Sequence, residues 1–253
     1  MKHRIIPALL LDNRKLVKTQ KFKKPKYVGD PINAIRIFND KEVDELMVLD
    51  ISATKENLEP DYSMIEQFAG ECFMPLAYGG GIRSLQQAKK IFALGVEKIC
   101  IQTEALINPR LVKDLANEFG SQSIMVSIDI KRNWFGKAKV YCASQNKSFP
   151  INWLKLIKDL VNIGAGEVLL NSVDRDGTLS GPDLNLIKQA SSCVNVPLIA
   201  LGGISSLEDI KEAINVGASA VAAGAFFVYQ GPHRAVLITY PKYDELRKLF
   251  DKD

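Results

Sequence analysis

The sequence predicts an α/β fold in which eight parallel βα units close into one barrel, and three observations lead there. First, the stretch from Glu45 to Ala225 nearly repeats itself at a constant offset. Glu45 returns as Glu167, Gly80-Gly81-Ile82 as Gly202-Gly203-Ile204, Leu85 as Leu207 and Gly95 as Gly217. Second, short β-branched runs alternate with helical patterns, the mark of parallel βα units. Third, 253 residues with 47% hydrophobic side chains suffice for one large core, and α/β barrels commonly fill this length as a single domain. A duplicated half-barrel is the simplest architecture that keeps so many glycines and apolar positions in register. The expectation is a single (β/α)8 TIM barrel over residues 1–253, with half-barrels spanning about 1–120 and 121–253.

Arg4 opens the apolar run RIIPALLL, so the first strand is placed at 4–11. Asp30 ahead of Pro31 is a helix start, an acceptor cap followed by a residue with preset φ, and the first helix runs 31–41. The segments ELMVLD and MPLAYG give strands at 45–50 and 74–79, with a helix at 62–72 between them. Ser84 before Leu85 caps a helix at 84–94; a strand at 97–102 and a helix at 108–118 follow. The second half repeats the alternation, with strands at 123–130, 167–171, 197–202 and 219–224 and helices at 151–163, 183–192, 206–215 and 241–251.

Two connections, 12–30 and 133–149, are too long to be mere links, and both fall at the C-terminal mouth where barrel enzymes keep their chemistry. The first carries Arg14, Lys15, Lys18, Lys21, Lys23, Lys24 and Lys26. It reads either as a solvated basic loop or as a mobile lid that closes on a phosphorylated substrate, with Lys18 among the substrate-binding candidates.

A net charge of +4 with 25% charged residues suits anionic metabolites and falls short of what nucleic-acid binders usually carry. The apolar stretches are too short to span a bilayer and the first residues lack a signal-peptide pattern, so a cytoplasmic protein with no membrane role is expected. The four cysteines are scattered with no CxxC spacing, which indicates neither a disulfide framework nor a zinc site. No metal or cofactor is implied.

The glycine pairs carry the chemistry most directly. Backbone N–H groups at a tight Gly-Gly turn leading into a helix point outward, where an anion also meets the positive end of the helix dipole. Gly80 and Gly81 with Gln102 and Thr103 form one candidate phosphate site, and Gly202 and Gly203 with Gly224 and Ala225 the other. Two such sites related by the duplication imply a ligand with a phosphate at each end. Asp176, Gly177 and Thr178, in DRDGT after the sixth strand, add an acid and a hydroxyl to the same rim, or form an ordinary Asp-Gly turn. Asp129, in SIDIKR, is the acid–base candidate, since a carboxylate among apolar neighbours is costly unless exposed, paired or used.

Across nearly the whole chain, the motifs RIIP, GDP (29–31), DELMVLDISA, GGGI, FGSQ, SIDIKR, GAGE, DRDGT and LGGI make the sequence resemble the cyclase subunit of imidazole glycerol phosphate synthase. That resemblance implies a (β/α)8 barrel, a glutaminase subunit that supplies ammonia, and a bisphosphorylated ribulosyl nucleotide as substrate. It makes Asp129 one of two essential aspartates. The other aligns with Leu10, so that carboxylate is missing, and Asp12, two residues on and about 6–7 Å further along the strand, is a poorly placed substitute. This departure and the lysine-rich 12–30 segment look like a divergent second copy of the cyclase. Such copies accompany a second glutaminase subunit and a sugar amidotransferase in surface-polysaccharide synthesis, forming acetamidino sugars.

Arg4, Glu45, Lys98 and Glu167 open strands one, two, four and six and are expected to meet at the N-terminal face as a neutral ring, where inward charges persist only if paired. The resemblance makes that ring an ammonia gate, shielding the nitrogen from bulk water. The chain cannot make ammonia itself: its only histidines are His3 and His233, and no cysteine sits in a nucleophile pattern. A glutaminase docked at that face, near Glu97 and Lys98, is the expected partner, in a heterodimer. Three functions stay open: the amidation paralogue, the histidine-pathway cyclase, and a non-catalytic conduit that also activates the glutaminase.

Overall fold

The computed structural model describes residues 3–250. Its first half contains β1 (Arg4–Asp12), β2 (Lys15–Gln20), β3 (Lys23–Gly29), α1 (Pro31–Asp40), β4 (Leu46–Asp50), α2 (Tyr62–Glu71), β5 (Leu76–Gly79), α3 (Leu85–Ala93), β6 (Lys98–Ile101), α4 (Thr103–Ile107) and α5 (Arg110–Phe119). After a 3-10 turn come β7 (Ile124–Arg132), β8 (Ala138–Cys142), β9 (Lys147–Phe149), α6 (Trp153–Asn162), β10 (Glu167–Ser172), α7 (Leu184–Ser191), β11 (Leu198–Leu201), α8 (Leu207–Asn215) and β12 (Ala220–Ala223). The chain ends with α9 (Ala225–Val228), β13 (Tyr229–Gln230), β14 (Ala235–Val236) and α10 (Tyr243–Phe250). The expected last helix, 241–251, is described from Tyr243 to Phe250, and residue 251 lies outside the described residues.

Eight strands pair in parallel in the order β1-β4-β5-β6-β7-β10-β11-β12, and β12 returns to β1 through Arg4↔Ala220 to Pro7↔Ala223. The result is a closed (β/α)8 TIM barrel with its helices outside. Closure leaves no unpaired edge in the parallel cylinder. The strands alternate strictly. Ile6, Ala8, Met47, Ala77, Cys100, Met125, Leu169, Ile199, Ala220 and Ala222 fill the interior. Their neighbours, such as Ile5, Leu9, Leu46, Val48, Val126 and Val168, pack outward against the helices in a second, larger cluster. Each such Leu or Ile, withdrawn from water, contributes about 1.5–3 kcal/mol.

The predicted caps form. Asp30 accepts from Asn33 N at 2.9 Å and Ser84 from Gln87 N at 3.2 Å, each satisfying a helix donor that would otherwise lack a partner, worth about 1 kcal/mol. Asp61, Asn152, Asp183 and Ser206 do the same for α2, α6, α7 and α8.

The two long connections depart from expectation. Residues 12–30 are neither a solvated loop nor free of structure: β1 continues through an antiparallel turn into β2, which pairs with β3. In 133–149, β7 turns back into β8 and β8 into β9. Backbone ladders extending from barrel strands order both segments despite their polar composition.

Candidate functional site

The C-terminal mouth opens into a cavity of about 480 Å³. Asp129 lies on its floor, near the end of β7, and is 7% exposed. Burial raises its carboxyl pKa to about 7, with the charge of Asp176 adding and hydrogen bonds from Ser127 and Asn171 opposing. Ser127 Oγ donates to Asp129 Oδ1 at 3.3 Å. A carboxyl held near neutrality can both give and take a proton.

Leu10 lines the same floor, beside Leu49 and Val17 in the strand register. Leu49 and Leu201 extend this apolar surface, so the floor is hydrocarbon at Leu10 and polar at Asp129, Asn171 and Ser127. Asp12 lines the rim above Leu10, where Asn13 Nδ2 donates to its Oδ1 at 3.1 Å.

Lys18, expected on a basic loop, is 4% exposed. Its Nζ donates to the Ala8 carbonyl and lies against the Gly224 corner, 2.7 Å from where a Cβ would stand. Burial lowers its pKa to about 8, against the pull of Asp176. Asp176 in turn is raised by burial and held back by the Thr19 hydroxyl, which donates to it at 3.1 Å, and by Lys18. Asp176 and Gly177 line the cavity, but Thr178 does not. The Thr178 hydroxyl turns into its own loop and donates to Arg175 O at 2.6 Å, so its expected contact with a ligand is not made available.

The glycine corners sit where expected on the rim. Gly80, Gly81, Gly202 and Gly203 have φ of 123°, 72°, 103° and 95°. A Cβ on Gly202 would fall 2.8 Å from Ser172 O, so the corner requires glycine. Gln102 precedes α4 and Gly224 precedes α9, placing the start of a short helix beside each glycine pair. The side chains at the first corner are already engaged: Gln102 Nε2 donates to Tyr141 O at 2.9 Å, and Thr103 Oγ1 bonds Gln102 Oε1 and Ser144 Oγ. Gly81 N donates to Thr54 Oγ1 at 3.0 Å. Any anion there would therefore rely on backbone donors and on rearrangement of these hydroxyls.

Sequence reasoning missed Asn171, Asp50 and the aromatic rim. Asn171 is 5% exposed and its Oδ1 has no hydrogen-bond partner. The inward alternation from Glu167 through Leu169 would have found it. Asp50 Oδ1 accepts from Ser52 N, Ser52 Oγ and Ala53 N, shaping the loop under the first corner. Phe22 and Tyr141, from the two hairpins, meet over the mouth with ring centroids 6.2 Å apart.

At the opposite end, Arg4, Glu45, Lys98 and Glu167 converge. Arg4 pairs with Glu45 and, at 2.9 Å, with Glu167; Lys98 Nζ reaches Glu45 at 2.9 Å and Glu167 at 3.1 Å. The two carboxylates are nearly sealed from solvent while the cations are partly open. Burial of this kind is tolerated because each charge finds two of opposite sign.

Among the described residues no group of three His, Cys, Asp or Glu side chains could hold a metal ion, and no helix is long and apolar enough to cross a membrane. All four cysteines are free.

The family model for histidine biosynthesis proteins matches residues 4–233. A Pseudomonas aeruginosa protein provisionally named imidazole glycerol phosphate synthase subunit hisF2 is 50% identical over 250 residues, 97% of this chain and 98% of its own. A Leptospira interrogans protein provisionally named imidazole glycerol phosphate synthase subunit HisF is 48% identical, covering 99% of both chains. The imidazole glycerol phosphate synthase subunit HisF of Streptococcus mutans is 37% identical over 90% of this chain and 92% of its own.

Proposed function

The chain belongs to the histidine biosynthesis protein family, and from that premise we propose that it is the cyclase-type subunit of a glutamine amidotransferase complex. A glutaminase subunit docks at the face carrying Arg4, Glu45, Lys98 and Glu167, and ammonia crosses the barrel from that ring to Asp129. The relatives' names, which describe subunits of imidazole glycerol phosphate synthase, support the general role. The apolar interior between ring and floor supports passage of neutral ammonia, which needs no charge stabilisation on the way. At the floor, the Asp129 carboxyl, its pKa raised to about 7, is the group of this chain that can exchange a proton with the arriving nitrogen. The glycine corners and Lys18 hold the phosphate groups of the ligand.

Within this role we favour the paralogue that serves acetamidino-sugar formation for surface polysaccharide. The observation that carries it is Leu10: hydrocarbon stands where a two-carboxylate mechanism needs its second acid–base group, a loss of about 10²–10⁴ in rate. Replacing the oxygen of a sugar's acetamido group by nitrogen requires that oxygen to be activated, which is the chemistry left to a sugar amidotransferase. The second reading, the histidine-pathway cyclase, draws on the two glycine corners, which suit a bisphosphorylated substrate. In a third, the chain is a non-catalytic conduit that also activates the glutaminase, and Leu10 is compatible with that as well.

The test supplies the purified chain and its glutaminase with amide-¹⁵N-glutamine. The expected result is no turnover of the ribulosyl nucleotide, even with added ammonium, and ¹⁵N in the sugar product once the amidotransferase and its acceptor sugar are present. Ready turnover of the ribulosyl nucleotide overturns the paralogue reading in favour of the second. Asp129→Asn separates the paralogue from a pure conduit, which tolerates it.

A further inference from the structure

Between β7 and β8 the chain makes a tight turn that carries Trp134, 98% exposed, and Phe135, 83% exposed. Such side chains usually lie against something. This turn is not slack. Asn133 Oδ1 accepts from Phe135 N at 3.1 Å and Lys137 N at 2.9 Å, while Gly136 N donates to Asn133 O at 2.9 Å. Arg132 braces it from below, donating through Nη1 to Gly136 O at 2.9 Å and through Nη2 to Asp183 at 2.8 Å. Its backbone N donates to Asp174 at 2.7 Å. Two aromatic rings are therefore held out in water on a framework whose geometry is fixed before anything binds.

The surroundings are cationic. Lys131 stands directly opposite Lys139 in the β7–β8 register, and Lys137 lies between them in sequence. Among the described residues none of the three has a carboxylate within ion-pair distance. Like charges placed opposite each other in a ladder cost stability, and an anionic partner relieves that cost. The lysines of the β2–β3 hairpin give the same sign to the other side of the mouth. The turn also follows the strand that bears Asp129: β7 continues three residues beyond Asp129, about 10 Å of strand, before the turn that carries Trp134.

We propose that Trp134 and Phe135 form the docking knob for a second protein that covers the mouth, received in an apolar pocket ringed by carboxylates. The partner is the nitrogen-accepting enzyme, so the inference rests on the reading above and adds where that enzyme sits. A protein seated here leaves the glutaminase face untouched and encloses the space above Asp129, so nitrogen passes between two proteins without meeting bulk water. A second copy of this chain is a poor occupant, because its own mouth would set lysines against these lysines. A bilayer has no shaped pocket to exploit a turn braced this firmly.

The test uses the full chain in complex with its glutaminase, the sugar amidotransferase as probe, and the variants Trp134→Ser/Phe135→Ser and Lys137→Glu/Lys139→Glu. All four residues lie outside the cavity lining, and unchanged thermal unfolding confirms that the fold survives. The aromatic pair is expected to weaken amidotransferase binding about tenfold or more. The charge reversals are expected to slow association and flatten its dependence on salt, and both variants keep wild-type affinity for the glutaminase. Unchanged amidotransferase affinity in the aromatic variant, or no binding by the wild type, overturns the proposal. So does binding of wild type to phosphatidylglycerol vesicles, or self-association in sedimentation velocity, that the aromatic variant loses. The glutaminase affinity and the ¹⁵N assay report on the broader reading independently.

Discussion

Asp129 stands directly opposite Asn171 in the parallel register of β7 and β10, and both are more than nine-tenths buried at the floor of the mouth. One offers a carboxyl poised near neutrality, the other an amide oxygen with no partner. An N–H donor entering here finds an acceptor and a base side by side, which is the arrangement a nitrogen nucleophile needs.

The pH dependence of stability follows from the same carboxyl. Its folded pKa of about 7 lies above its ordinary value of 3.8, so the folded state binds the proton more tightly. The stability it confers is complete below pH 3.8, declines as pH rises toward 7 and is absent above, a difference of at most about 4 kcal/mol. Asp129→Asn is therefore expected to match wild type in thermal unfolding near pH 4 and to exceed it at pH 8. In the ¹⁵N assay the same variant is expected to lose about 10²–10⁴ in rate.

Leu10→Asp places a second carboxylate on the hydrocarbon part of the floor. Like charge raises the Asp129 pKa further, which a carboxyl-resolved ¹³C NMR titration reads directly. Slow turnover of the ribulosyl nucleotide with ammonium is expected to appear where the parent shows none, followed by chromatography of the substrate.

The charged ring is expected to behave as one unit. Lys98→Met or Glu167→Gln alone leaves the ring with one net charge while each remaining partner keeps one counter-charge, so each is expected to cost less than the about 3–5 kcal/mol of a fully uncompensated buried charge. The double variant is expected to cost less than the two added together, by about 0.5–3 kcal/mol. Urea unfolding of the three variants completes the cycle.

Gly202→Ala and Gly70→Ala make a matched pair. Gly202 has φ of 103° and its Cβ would meet Ser172 O at 2.8 Å, so alanine is expected to cost at least about 1–3 kcal/mol and to abolish anion binding at that corner. Gly70 lies in α2 with nothing within 4 Å of its Cβ; alanine there is expected to stabilise by about 0.4–1 kcal/mol. Calorimetric titration with inorganic phosphate, beside thermal unfolding, reads both effects.

The barrel strands were legible because their inward and outward faces are both apolar, which turns each into an unbroken run such as RIIPALLL. The hairpins were not. KLVKTQ and KKPKYVG carry so many lysines that solvation dominates the local pattern, whereas pairing with β1 buries Leu16, Val17 and Lys18 together. For that reason Lys18, a substrate-binding candidate, was assigned to a loop or lid, whereas it lies in β2, buried against the cavity. The helices α4 and α9 are five and four residues long, too short for a 3.6-residue period to register. The inward alternation of β10 places Asn171 on the interior face, but only the register between β7 and β10 makes it the neighbour of Asp129.

The β2–β3 hairpin is tied to the far side of the rim, where Lys21 N donates to Asp176 O at 2.9 Å and the Thr19 hydroxyl reaches the Asp176 carboxyl. A strut of this kind settles the entropy of the roof when the chain folds, not when a visitor arrives. A ligand at this mouth therefore enters and leaves past an arch that already stands.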